Sequence, residues 1–426
     1  MSDFSKRTWP ALDPALFVGS LVVYVAGTPL GLDRVAAASA VAAGLAVTTQ
    51  EPSPPLALLA VRLVGYLPLG DGAARANLAA GLLAALATTL LGRLCVDLLV
   101  ALRPPPHARQ GPRDFLYEPW LAAGAALAGG LSLATFQAAT SAGGASATLA
   151  LLVGAWLAAL PLLRAKGGAG RGFALAGLSG LAAGVDPVAG PLLWPLAFGL
   201  GLWELRRGSR WPLLAPLLFV AALGGSLLAT TAVSGSPRSV THLLGNLWPA
   251  GMHDRAAVVR TAAELGDELG VVGLLLGGVG TLALLRRAPL VGFWFGFTLV
   301  TALLLGHSPA QSGLLEPTRA GLPAALLAAA VPMSAGAAEL AARLGRARVV
   351  TAIVLAVLAV VSPVFDGGAS RWRRDVHGPE RLLEHALLRS PLRASVDPGT
   401  AEMEGLFLYG AALGLRPDLE IARRPK

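Results

Sequence analysis

Residues 32–77 read LDRVAAASAVAAGLAVTTQEPSPPLALLAVRLVGYLPLGDGAARAN and separate the first two long apolar runs of the chain. Their charged side chains include Asp33, Arg34, Glu51 and Arg75. Only 14% of the residues of the whole chain are charged. Because an ionised group is costly inside a membrane, scarce charges are expected where the chain leaves it. We therefore interpret residues 32–77 as a polar loop over two membrane spans, where any chemistry is expected.

The composition excludes an ordinary soluble protein. Of the 426 residues, 54% are hydrophobic, and the mean hydropathy is +0.64. Apolar runs approaching the length of about 20 residues that crosses a bilayer recur throughout the chain. The net charge of +9 does not indicate nucleic-acid binding, because no basic patch is interleaved with aromatic residues. The sequence predicts an all-α, polytopic transmembrane helical bundle.

The apolar runs predict about eleven spans by length. They cover residues 14–30, 74–102, 120–136, 147–163, 173–183, 188–203, 212–233, 269–285, 289–305, 320–340 and 349–364. The run 173–183 is short for a bilayer, so it forms with 188–203 either two spans or a re-entrant pair turning at Gly184 and Pro187. Residues 234–268 are expected to form a polar loop. The predicted domains are a transmembrane domain, 1–365, and a tail, 366–426.

The basic residues predict the orientation. One set of alternating loops holds 16 lysines and arginines and the other set holds 7, with the tail left out. The positive-inside rule then places the N-terminus in the cytoplasm, and loop 32–77 and the tail outside it. The first run is interpreted as a signal anchor, because no cleavage site follows it. The three lysines and the abundant Arg and Ala indicate a GC-rich bacterial genome. The chain is expected in a bacterial cytoplasmic (inner) membrane.

Other candidate residues receive structural interpretations. The acids Glu264, Asp267 and Glu268 are expected to be a solvated charge cluster at a helix start. Arg93 and Asp97 lie one turn apart and predict a local ion pair near the cytoplasmic end. The single cysteine, Cys95, excludes an intramolecular disulfide and a cysteine-based metal site. The six histidines are scattered, with His242 and His253 a weak pair.

Several short motifs occur in a particular order. They are Asp33, Pro54-Pro55-Leu56, Leu67-Pro68-Leu69-Gly70, Arg75-Ala76-Asn77-Leu78, Leu408-Tyr409 and Gly414-Leu415-Arg416-Pro417-Asp418. In this order the chain resembles a divergent member of the GT-C glycosyltransferase superfamily. The group it resembles is the bacterial protein O-mannosyltransferase-like membrane family, described as a domain of unknown function.

The resemblance implies a GT-C-like bundle that transfers sugar from a polyprenyl-phosphate donor to a protein or glycan acceptor. It places the general base at Asp33, with Glu51 second. The candidates for binding the donor phosphate are Arg34, Arg75, Asn77 and Arg319. Guanidinium groups pair well with phosphate. A divalent metal could assist, but the sequence shows no cluster of metal ligands.

Two alternatives remain beside the enzyme. In the resembled family a Ser-Gly-Glu follows the first acid, and here it is absent. A catalytically inactive relative, or a lipid-binding scaffold in envelope assembly, would fit that departure. A transporter would need ionisable residues near span centres and repeated halves, and the sequence provides neither clearly.

Overall fold

The computed structural model describes most of the apolar runs and several pieces of the tail. The described residues are 12–28, 63–64, 72–102, 118–140, 145–164, 168–185, 189–234, 255–305, 321–343, 350, 353–354, 356–357, 378–389, 395–396, 401–412, 415 and 420–421. Up to residue 343 they form helices α1 (Leu12–Gly27), α2 (Gly72–Leu102), α3 (Glu118–Gly130), α4 (Leu133–Ala139), α5 (Ala145–Leu163), α6 (Ala169–Val185), α7 (Ala189–Arg206), α8 (Trp211–Ser234), α9 (Arg255–Arg287), α10 (Pro289–Leu305) and α11 (Gly321–Arg343).

Several of these helices can cross a bilayer. Within the described residues, α2, α5, α8, α9 and α11 are long and apolar enough, and the bent pair α3–α4 makes a sixth if it is one span. Helices α1 and α10 are apolar but shorter. A helix satisfies its own backbone hydrogen bonds in lipid, so apolar runs fold this way. The predicted polytopic helical bundle is confirmed, whereas the count of eleven spans stays a prediction.

Helices α6 and α7 cover the two neighbouring runs predicted at 173–183 and 188–203. They contain 17 and 18 residues and are separated by residues 186–188. At 1.5 Å per residue each is about 26 Å long, close to the hydrocarbon thickness of about 30 Å. The short run predicted at 173–183 is wrong in length, because the helix continues through small residues at both ends. The choice between two spans and a re-entrant pair stays a prediction.

Contacts near the end of α2 show the relative directions of α1, α2 and α5. Asp13, near the start of α1, lies 3.8 Å from Arg93 in the last third of α2. Arg164, just after α5, donates a hydrogen bond of 3.0 Å to the Ala101 carbonyl oxygen, also near the end of α2. Helix α1 is therefore antiparallel to α2, whereas α5 is parallel to it. The alternation along the chain agrees with the predicted membrane crossings.

We call the end that carries Arg164, Arg206, Arg287 and Arg343 the arginine end. The opposite end, where α2, α4 and α11 begin, is the loop end. Helix α1 also ends at this second end, where α2 begins. The side of the membrane that each end faces stays a prediction from the positive-inside rule.

Small residues set the closest helix contacts. Along α6, Gly172, Gly180 and Gly184 face α8, where an added Cβ would overlap Trp211, the Phe219 carbonyl oxygen and Ser226. Near the loop end, the buried Tyr24 hydroxyl of α1 donates a hydrogen bond of 2.6 Å to the Gly130 carbonyl oxygen. The same hydroxyl lies 3.1 Å from Thr88 Oγ1. This phenol joins three helices where α3 ends.

The tail contains a small packed unit. Its elements are α12 (Gly378–Arg389), β1 (Ser395–Val396), α13 (Ala401–Ala412) and β2 (Glu420–Ile421). The two strands are parallel, with Ser395 opposite Glu420, and α13 provides the crossover that parallel strands need. Leu383 and Tyr409 are buried.

Candidate functional site

The structure describes two of the six predicted site residues. Asp33, Arg34, Glu51 and Arg319 lie outside the described residues. Arg75 and Asn77 lie in the first two turns of α2, at the loop end. The contribution of the first four residues to a site therefore stays a prediction.

Arg75 and Asn77 share a level of the bundle but not a face of their helix. Asn77 is fully buried, whereas Arg75 is half-buried. Residues two positions apart in an α-helix are separated by about 200° around its axis. Gly81, one turn after Asn77, packs against Tyr24, with the Ala139 carbonyl oxygen 3.8 Å from where its Cβ would be. The face of α2 that carries Asn77 is therefore directed at the ends of α1 and α4.

A broken helix forms part of the loop end. Helix α3 stops at Gly130, and α4 begins at Leu133 after a bend of 70°. Ser132 stabilises the break, because its Oγ donates a hydrogen bond of 2.8 Å to the Gly129 carbonyl oxygen and lies 2.9 Å from Thr135 Oγ1. A break in a buried helix leaves the first N–H groups of the next helix without partners in that helix. These groups need an acceptor from elsewhere.

Glu268 of α9 provides that acceptor. Its carboxylate accepts hydrogen bonds from the Leu133 nitrogen at 2.6 Å and the Ala134 nitrogen at 3.0 Å. The expectation that Glu268 is solvated is wrong, although Asp267 beside it is exposed. The expected polar loop 234–268 is also wrong over 255–268, which is helical. Gly270 interrupts α9 at φ 61 and ψ 177, a conformation open essentially to glycine.

We predict that Glu268→Gln loosens the start of α4. The amide retains one acceptor oxygen but loses the charge that strengthens both bonds, at a cost of about 1–3 kcal/mol. Hydrogen exchange of the Leu133 and Ala134 amides should therefore accelerate about 5- to 150-fold. Asp267→Asn removes the same charge from the exposed neighbour and is the matched control. Equal exchange in the two variants would contradict the capping role.

The arginine end holds a separate network of charged residues. Arg93 lies 3.5 Å from Asp97 and 3.8 Å from Asp13, which confirms the predicted local pair and adds a third member. Burial lowers the pKa of the Arg164 guanidinium, and the charge of Asp97 opposes that shift. The network ties α1, α2 and α5 together, far from the loop end along α2.

Within the described residues, no group of three or more His, Cys, Asp and Glu side chains is placed to hold a metal ion. Cys95 is buried and its thiol points at the Ala330 carbonyl oxygen, 4.0 Å away. This environment fits the interpretation of Cys95 as a small buried hydrophobic residue.

The described helices form a bundle that is similar in fold to a solved membrane-protein structure. The chain is similar to the crystal structure of ArnT from Cupriavidus metallidurans in the apo state, with a TM-score of 0.54 at 12% sequence identity. The similarity covers 96% of this chain and 89% of that chain. No family model and no curated protein sequence matches the chain. At this identity, the similarity shows the fold alone.

Proposed function

We propose that this protein is a membrane glycosyltransferase that transfers a sugar from a polyprenyl-phosphate donor to a protein or glycan acceptor. The reaction would take place on the outer side of a bacterial cytoplasmic membrane. The observation that carries the proposal is the fold shared with ArnT over 96% of the chain. A donor with a long isoprenoid tail dissolves in the bilayer, so an enzyme that uses it must open to lipid and to water at one membrane surface. The loop end is assigned that role.

The proposed chemistry divides between acids and arginines. Asp33, with Glu51 as the second candidate, accepts the proton of the acceptor hydroxyl while its oxygen attacks the anomeric carbon of the sugar. The bond to the donor phosphate breaks, and that phosphate leaves with the bonding electrons. Arg34, Arg75 and Arg319 stabilise its charge, and Asn77 is assigned to the donor side as well. The half-buried position of Arg75 at the loop end supports this role.

The direct test is sugar transfer in membranes that contain the protein. Isolated membranes receive a panel of labelled polyprenyl-phosphate sugars, with and without a metal chelator, and labelled acceptor is measured. Membranes that lack the protein are the blank. Transfer above the blank supports the proposal. No transfer with any donor would contradict it and favour the inactive or lipid-binding scaffold.

We predict that Arg75→Gln weakens donor use about tenfold, as a rise in KM for the donor. A hydrogen bond to a charged group contributes about 1.5–3 kcal/mol, and the amide keeps the polar character without the charge. Arg286→Gln is the matched control, because Arg286 is exposed at the arginine end. A KM that changes equally in both variants would remove Arg75 from the donor site.

A further inference from the structure

An apolar groove opens at the arginine end between α6, α7 and α8. It has a volume of about 380 Å³, within the range of about 300–1,000 Å³ typical of ligand sites. Its walls include Leu175 of α6, Gly201 of α7 and Ala215 of α8. The polar side-chain atoms among its lining residues are the indole nitrogens of Trp194 and Trp211. Water in such a groove would find few hydrogen-bond partners, so an apolar ligand is favoured.

The groove faces the lipid. Phe198 and Leu202 line it and are 73% and 56% exposed. Helix α8 is the least buried of the candidate spans, with 6% of its apolar window inside the protein. The apolar material that reaches this surface in a membrane is the acyl chain of a lipid.

A rigid turn with three arginines lies at the mouth of the groove. Helix α7 ends where Gly208 takes φ +81, with hydrogen bonds of 3.0 Å from Gly208 N to Leu205 O and from Ser209 N to Glu204 O. This pairing is a Schellman motif, and its left-handed position favours glycine. The motif fixes the connection to α8, so the backbone that carries Arg206, Arg207 and Arg210 is held in place before any ligand arrives.

Two of these arginines are available for an anion. Arg207 lies 3.4 Å from the Glu204 carboxylate, which offsets its charge. Arg206 and Arg210 are exposed, and neither forms an ion pair within the described part of the chain. Guanidinium groups bind phosphate through several hydrogen bonds at once. The turn therefore complements a phosphate at the level where an apolar chain would leave the groove.

We propose that this groove binds one acyl chain of an anionic phospholipid, whose phosphate lies on Arg206 and Arg210. The excess positive charge of the turn selects an anionic headgroup over a zwitterionic one. The site lies at the end of the bundle opposite the proposed sugar-transfer site, so it is separate from donor binding. The proposed lipid site does not depend on sugar transfer by the protein.

The test uses phosphatidylglycerol with brominated acyl chains, because bromine quenches nearby tryptophans. The protein is placed in phosphatidylcholine nanodiscs, and brominated phosphatidylglycerol is increased at the expense of unlabelled lipid. Quenching should saturate at a low fraction of phosphatidylglycerol, and Trp211→Phe should remove part of it. Brominated phosphatidylcholine should quench in proportion to its fraction, without early saturation. The same linear response with both lipids would overturn the proposal.

Two pairs of variants assign the binding to this site. Arg206→Gln and Arg210→Gln should each weaken phosphatidylglycerol binding about fivefold, while Arg286→Gln at the same end should not. Gly201→Leu should block the chain, because a Cβ there lies in the groove with Pro212 at 3.8 Å. Gly199→Leu is its control, since no atom lies within 4 Å of a Cβ at Gly199, which is exposed. Unchanged binding in both arginine variants, or equal binding in the two leucine variants, would overturn it.

Discussion

Replacing Asp33 with Asn is expected to lower sugar transfer about 10²–10⁴-fold, the usual contribution of a general base. The substitution preserves size and most hydrogen bonding but removes the group that accepts the proton of the acceptor. The motivation is the position of Asp33 directly after the first apolar run, where the resemblance to the GT-C family places the catalytic acid. The measurement is the initial rate of transfer from a polyprenyl-phosphate sugar, in membranes with matched protein abundance.

Two controls separate this role from a structural one. Asp267→Asn makes the same change at an exposed acid of the described region and should leave the rate within about twofold. Glu51→Gln tests the second candidate. If Asp33→Asn transfers sugar as fast as the wild type while Glu51→Gln does not, the base is Glu51. If both variants transfer at the wild-type rate, neither acid acts in the mechanism.

The sequence predicted most of the bundle because the length and apolarity of a run largely decide whether it spans a membrane. The run predicted at 74–102 is helix α2, Gly72–Leu102, and the run at 289–305 coincides with α10. Charged residues next to each run mark where it ends, so the ends of the helix can be predicted without knowing which helices pack beside it. The pairing of helices is a different matter, since it depends on contacts between distant segments.

The start of α9 differs from the sequence prediction. Residues 255–268 fall in the predicted polar loop 234–268 but are helical. Thr261, Leu265 and Leu269 recur every four residues and are buried, the spacing of one face of a helix. That signal was present in the sequence. The role of Glu268 could not be predicted from the sequence, because the two N–H groups that it accepts from lie 135 and 134 residues away, at a break in another helix.

The candidate site was predictable to a smaller extent. The order of motifs predicts a GT-C-like chain, and the described bundle shares its fold with ArnT. Asn77 illustrates what a motif leaves open. The described structure buries it on the face of α2 that meets α1 and α4, and its donor contact stays a prediction. A motif gives the residue type and the spacing, whereas the direction of a side chain depends on how its helix packs.

Gly280→Ala is expected to destabilise the protein by about 3 kcal/mol, at the upper end of what overpacking usually costs. Helices α9 and α11 touch through their backbones at this point. A Cβ at Gly280 would overlap the Pro332 carbonyl oxygen and lie 2.7 Å from the Gly336 nitrogen. Neither atom can rotate away as a side chain would, so the two helices would have to separate and lose the contacts on both sides of the crossing.

The control lies on the same helix. Gly278 is exposed, and no atom lies within 4 Å of a Cβ there. Gly278→Ala should therefore keep or slightly raise stability, because Ala is favoured over Gly in a helix by about 1 kcal/mol. The opposite signs expected for the two Gly→Ala changes separate packing from helix propensity.

The measurement is the midpoint of thermal unfolding in one detergent, followed by tryptophan fluorescence. Gly336→Ala approaches the same crossing from α11, where its Cβ would overlap the Leu276 carbonyl oxygen, and it should lower the midpoint as Gly280→Ala does. Because both variants force apart the same pair of backbones, their combined effect should be smaller than the sum of the separate effects. Midpoints for both single variants at or above that of Gly278→Ala would show that α9 and α11 do not cross in contact at these glycines.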